Sequence, residues 1–140
     1  MDNINFENRT DHEILSWEKV TPWLEELCAK HGYNAGDISY LFCNDDYLLE
    51  INQQYLNHDT LTDIITFDYT FGKKVSADIL ISLERIEDNA KDFNVTYKQE
   101  LCRVMAHGVL HCIGFKDKTE SEAKKMRHAE EEAIQLFENQ

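Results

Sequence analysis

Residues 101–113 read LCRVMAHGVLHCI, an apolar run without proline that predicts a buried helix. Residues four apart stack on one helical face, so His107 and His111 point the same way with Cβ atoms about 5–6 Å apart. Two imidazoles at that separation can grip a single cation. Gly114 follows three residues after His111, where a left-handed helix cap carries no Cβ penalty. The chain then doubles back, and Asp117 reaches the same point from a third direction. The pattern H-x-x-x-H-x-x-G-x-x-D therefore demands a rigid helix, a hinge that glycine fills cheaply, and a returning loop. The plainer alternative makes His107 and His111 core residues satisfied by backbone carbonyls. It leaves two buried polar rings that each need a partner, whereas one shared ion serves both. Three protein ligands leave a fourth position for water, the mark of a catalytic site and not of a closed structural one.

With 140 residues the chain is the size of one ordinary domain with a sizeable core. No apolar run approaches the roughly 20 residues needed to span a bilayer. The opening MDNINFENRTDHE lacks the basic and apolar regions of a secretory signal, and the expected compartment is the cytoplasm. Cys28, Cys43, Cys102 and Cys112 sit in apolar segments with no CxxC pair, which in a cytoplasmic protein reads as small buried hydrophobes. Cys112 neighbours His111, but a helix turns about 100° per residue and carries it away from the metal face. The net charge is −13, from 27 acidic and 14 basic residues, and such a balance repels nucleic acid at long range. An activity on RNA would need a local basic patch, a metal, or a partner that delivers the substrate.

Taken in order, residues 3–7 (NINFE) suggest a short strand. Asp11 is positioned to cap a helix from residue 12 or 13 to about 30, whose Ile14, Trp17, Val20, Leu24, Leu27 and Cys28 form an apolar stripe. Pro22 predicts a break or a fresh start inside that span. Trp17 and Trp23 read as core. Residues 38–43 (ISYLFC) form a second strand by their β-branched and aromatic content. Asn44 or Asp45 then caps a helix to about residue 55. A polar loop covers 56–62, a third strand 63–69 and a fourth 76–82, and the short link through Gly72 predicts an antiparallel hairpin. Helices follow over 83–93, then along the histidine segment, then from Thr119 to about residue 137 with acids in the first turn. On the last, Ala123, Met126, Ala129 and Ala133 or Ile134, with Phe137, make a packing face, and Glu130-Glu131-Glu132 reads as a solvated face. The fold class is α+β: one domain over residues 1–140, a small mixed four-stranded sheet covered by helices, with a zincin-like metal helix against the sheet.

A zinc ion with three protein ligands and an open position lowers the pKa of bound water towards about 7 and polarises a substrate oxygen. That is hydrolase chemistry, on an amide, an ester or a phosphodiester. In H-E-x-x-H proteases the residue after the first histidine is the glutamate that serves as base; here it is Gly108, so another group must handle protons. Glu100 and Arg103 lie seven and four residues before His107 on the same helical face, where either lines the cleft, sits on the surface or contacts a ligand without touching the ion.

The segment H-G-V-L-H-C-I-G-F-K-D from His107 to Asp117 resembles the signature H-G-x-L-H-x-x-G-Y-D-H of the YbeY family of metal-dependent endoribonucleases. Tyr55, Asp59, Thr62, Asp63, Ile64, Ile65, Thr66 and Phe67 are similar to the family's Y-R-x-x-D-x-P-T-[DN]-V-L-S-F, and Ala77-Asp78-Ile79-x-Ile81-Ser82 to its G-D-I-x-I-S strand. Three motifs in order span about half the chain. The resemblance implies a zinc-bound, single-strand-specific ribonuclease in ribosomal RNA maturation and ribosome quality control. Its partners would be single-stranded ribosomal RNA and the small ribosomal subunit or its proteins, with no membrane. His107, His111 and Asp117 would be its metal ligands, and Asp63, Glu100 and Arg103 candidates for catalytic roles. Asp117 replaces the family's third histidine, which adds negative charge and makes manganese or magnesium more competitive with zinc. Leu56 replaces an arginine expected to clamp phosphate, with His58, Lys73, Lys74, Arg103 and Lys116 left to compensate. Asp59, Thr62 and Asp63 would organise the cleft loop. Two other readings stand beside this one: a ribosome-assembly factor with a structural metal, its acidity suited to basic ribosomal proteins, and a metallohydrolase of peptides or amides.

Overall fold

A computed structural model describes residues 3–57 and 60–140. Nine elements follow in chain order: β1 (Ile4–Asn8), α1 (Trp17–Lys30), β2 (Asn34–Cys43), α2 (Asp45–Leu56), β3 (Ile64–Asp68), β4 (Lys74–Ser82), α3 (Leu83–Phe93), α4 (Tyr97–Ile113) and α5 (Glu120–Glu138). The four strands form one mixed sheet in the order β1-β2-β4-β3. β1, β2 and β4 run parallel, and β3 returns antiparallel to β4 as the outer strand of the expected hairpin.

Strand alternation sorts the side chains. Ile38, Tyr40 and Phe42 of β2 pair in register with Ala77, Ile79 and Ile81 of β4, and all six are buried in the main core with α1, α4 and α5. The opposite face carries Cys43, Ile65 and Leu80 and is covered by Leu48 of α2. Only the second half of β4, Ile79 to Ser82, is buried on both faces, and there its sequence turns apolar without alternation. Two hydrogen bonds fix the helices on this frame. The Trp23 indole donates to the Ala133 carbonyl at 2.8 Å, locking α1 to α5. The Tyr40 hydroxyl donates to the Met105 carbonyl at 2.9 Å, pinning α4 to the sheet two residues before His107.

The metal-helix segment lies on the sheet at its closest approach through Gly108. A Cβ there would stand 3.0 Å from Ile79 Cδ1 and 3.2 Å from Ile64 Cδ1. The position that carries the base in H-E-x-x-H enzymes is thus turned into the core, where a glutamate side chain has no room.

Several boundaries differ from the sequence reading. α1 starts at Trp17 with Ser16 as its N-cap; Asp11 caps nothing, because residues around it form a turn in which Asn8 Nδ2 donates to the His12 carbonyl. Pro22 neither breaks nor restarts α1. It lies on the solvent face, where the one helical bond it forgoes leaves a carbonyl open to water. β2 begins at Asn34, ahead of an irregularity between Ala35 and Ile38. Asn44 takes the cap position of α2, while the Asp45 carboxylate instead accepts from the Ser82 hydroxyl at 2.7 Å and from Arg85 Nε at 3.1 Å. Capping boxes open α4 (Thr96 with Gln99) and α5 (Thr119 with Glu122). Among the described residues no helix is long and apolar enough to cross a membrane.

Candidate metal centre

α4 presents His107 and His111 one turn apart, with ring centroids 4.8 Å from each other and planes at 81°. The helix ends at Gly114, whose φ of +114° is open to glycine and strained for other residues. The backbone N–H groups of Gly114 and Phe115 donate to the carbonyls of His111 and Leu110, closing the last turn and sending the chain back. Phe115 packs edge-on against His31 with centroids 5.2 Å apart, which anchors the loop carrying Asp117.

Asp117 Oδ2 then lies 3.5 Å from His107 Nε2 and 3.7 Å from His111 Nε2. Tetrahedral ligands about 2.0–2.1 Å from a zinc ion stand about 3.3–3.4 Å apart, so the carboxylate sits near coordination spacing from both rings. One ligand atom from each of the three residues falls within 4.8 Å of the others. Two imidazole nitrogens and a carboxylate oxygen are a donor set that fits zinc, and the group is able to hold a metal ion. His111 titrates below the ordinary histidine value, first because burial penalises its charge and next because His107 stands beside it; Asp117 and Asp68 oppose the shift. The ring is thereby kept in the neutral form that ligates metal.

The site opens into a cleft of about 460 Å³ lined by Thr62, Asp63, Ile64, Thr66, Asp68, His107, His111 and Asp117. Alternate residues of β3 face α4 across it. The Asp63 carboxylate is oriented by Asn89 of α3, whose Nδ2 donates to Oδ2 at 3.2 Å, and its carbonyl accepts from the Ser82 N–H at 3.0 Å. Among the described residues the cleft lining carries three carboxylates and no lysine or arginine.

Glu100 and Arg103 are not on that wall. Glu100 is 1 % exposed and accepts from Arg103 Nε at 2.9 Å and Nη2 at 2.5 Å, behind His107 and away from the cleft. Arg103 is therefore engaged and not free to hold phosphate. Lys73 lies over the Tyr33 ring at 4.4 Å, Lys74 opens β4 and Lys116 is exposed beside Asp117. Leu56, the last residue of α2, is exposed. His58 and Asp59 fall outside the described residues. All four cysteines are buried free thiols, and Cys112 is packed into the main core.

One residue corrects the reading of α5. Glu130 is not part of a solvated face: it is 4 % exposed, with Oε2 2.6 Å from His107 Nδ1 and Oε1 accepting from Arg103 Nη1 at 3.2 Å. The signal was in the spacing. Position 130 lies four residues after Met126 and seven before Phe137, so it shares their inward face beside Ala129, and a glutamate on an inward stripe requires a buried partner.

Sheet and helix together define a small α+β protein in which a helix-borne His-x-x-x-His pair and Asp117 on the following loop form a group able to hold a metal ion. The model of the family described as Endoribonuclease YbeY matches residues 4–138. Endoribonuclease YbeY of Flavobacterium johnsoniae is 52% identical over 134 residues, covering 96% of each chain, and that of Flavobacterium psychrophilum is 48% identical over the same length and coverage. The solution structure of TM1509 from Thermotoga maritima superposes with a TM-score of 0.67 at 25% identity, over 96% of this chain and 88% of that one. The chain belongs to the Endoribonuclease YbeY family.

Proposed function

We propose that this protein is a metal-dependent endoribonuclease that hydrolyses phosphodiester bonds of single-stranded ribosomal RNA, with one zinc ion per chain held by His107, His111 and Asp117. The observation that carries the reading is the convergence of those three side chains at the head of a cleft lined by three carboxylates. The relatives named endoribonucleases support the reaction type. A bound zinc would supply Lewis acidity and a coordinated water acidic near neutral pH.

The chain's own groups do the rest. An RNA phosphodiester meets Asp63, Asp68 and Asp117 in the cleft, and without a cation their charge repels it. The reaction on phosphate is thus tied to metal loading. Asp63, half-buried and held by Asn89, is the carboxylate we assign to accept the proton of the attacking water, because a held acceptor loses less freedom in the transition state. Thr62 and Thr66 line the same wall and present hydroxyls to the substrate backbone. Ribosomal RNA maturation in the cytoplasm, at the small subunit, is the setting this reading assigns, with one domain spanning the chain. Manganese or magnesium are the competing ions, because Asp117 is a hard oxygen ligand.

The test is cleavage of unpaired RNA by the purified protein. Activity should vanish with chelator, return with zinc or manganese, and be absent in His111→Ala. Cleavage that survives complete metal removal would overturn the reading.

A further inference from the structure

Buried charge behind the metal centre forms a chain. Glu100 holds Arg103 through two hydrogen bonds, Arg103 Nη1 donates to Glu130 Oε1, and Glu130 Oε2 lies 2.6 Å from His107 Nδ1. The Glu100 and Glu130 side chains are 2% and 5% exposed, so each needs its partners. The links come from two helices, with Glu130 on α5 and the other three on α4.

We infer that Glu130 is the positioning residue of the metal centre: it fixes His107 as the tautomer with its proton on Nδ1, so that the Nε2 lone pair faces the ion. A carboxylate accepts and cannot donate. With Arg103 donating to Oε1, Oε2 takes the Nδ1–H of a neutral His107, and Nε2 is left as the free acceptor on the cleft side, 3.5 Å from Asp117 Oδ2. The second carboxylate oxygen thus decides which nitrogen ligates. A negative charge behind a ligating imidazole also makes it a stronger donor. Arg103 and Glu100 hold Glu130 in register, giving those two residues a place in the site without contact with substrate. The inference rests on the metal reading above and adds to it a device for choosing the tautomer.

The isosteric variant Glu130→Gln separates this role from mere packing. Arg103 donates and so claims the amide oxygen, which turns the amide NH₂ towards His107 Nδ1. The ring must then accept there and carry its proton on Nε2, which blocks the ligand position. Long-range ¹H–¹⁵N NMR of the metal-free protein above pH 7.5 should show the Nδ1–H tautomer at His107 in the wild type and the Nε2–H tautomer in Glu130→Gln. Zinc affinity, measured by competition with a chromophoric chelator, should fall about 10–100-fold, while circular dichroism stays that of the wild type. A wild-type His107 with its proton on Nε2 overturns the inference even if the variant cannot be folded. So does an unchanged zinc affinity in a folded variant. Failure of the wild type to bind zinc at all, with the Nδ1–H tautomer in place, would instead count against the metal reading on which this one is built.

Discussion

On the proposed metal reading, Asp117 is the side chain that sets the ion preference of the site. A carboxylate adds negative charge and hard-oxygen character to two imidazoles, conditions under which manganese and magnesium compete better with zinc. Asp117→His restores the ligand of the family signature, and we predict that it shifts the zinc-to-manganese affinity ratio towards zinc, as read by competition titration of the two variants. Gly108 sets a second limit at this scale. Its would-be Cβ meets Ile79 and Ile64 at 3.0–3.2 Å, so Gly108→Val should destabilise the fold by about 1–3 kcal/mol through overpacking, seen as a lower midpoint in urea. An unchanged midpoint would show that α4 lies further from the sheet than described.

The elements differ in how plainly they could be read. The β3–β4 hairpin, α3 and α5 were legible because turn residues and caps mark their ends locally: Gly72, Ser82 and Thr119 with Glu122. The start of α1 was not, since Ile14 and Leu15 pack against the core from a loop and imitate helical spacing. Pro22 misled for a related reason, as its harm depends on which face it occupies. The three residues that converge at the cleft were visible as a local motif, whereas the partner of Glu130 lies 23 residues away on another helix, beyond any local pattern. Two predictions belong here. Gly114→Ala forces a non-glycine residue to φ +114° at the end of α4 and should cost about 1–2 kcal/mol while weakening zinc binding, because Asp117 is carried by the turn. His31, the C-cap of α1, titrates low, first through burial and next through Lys30, and its Nε2 is buried without a hydrogen-bond partner. The unfolded chain takes up this proton near pH 6.5 and the folded chain only at lower pH. The stability contributed by neutral His31 is therefore complete above about pH 6.5 and is lost as the pH falls from there through the lower folded-state value. Denaturation midpoints of wild type and His31→Gln should differ in slope below pH 6.5 and run parallel above it.

At the scale of the molecule, a net charge of −13 sets the terms on which RNA arrives. A basic nuclease loses affinity as salt rises, because phosphate contacts release counterions. Here long-range repulsion is the larger effect, and screening it shortens its reach to about 8 Å at physiological ionic strength. We predict that kcat/KM on a short unpaired RNA rises with monovalent salt from about 10 to 150 mM; a steep fall over that range would show phosphate contacts outweighing the repulsion. The anionic cleft makes the same demand locally, and the local demand resolves if a cation sits between His107, His111 and Asp117. Anomalous diffraction at the zinc edge, on crystals of metal-loaded protein, tests this most directly. The account predicts one peak about 2.0–2.2 Å from His107 Nε2, His111 Nε2 and Asp117 Oδ2; a map with no peak between them, or zinc bound only elsewhere, would contradict it.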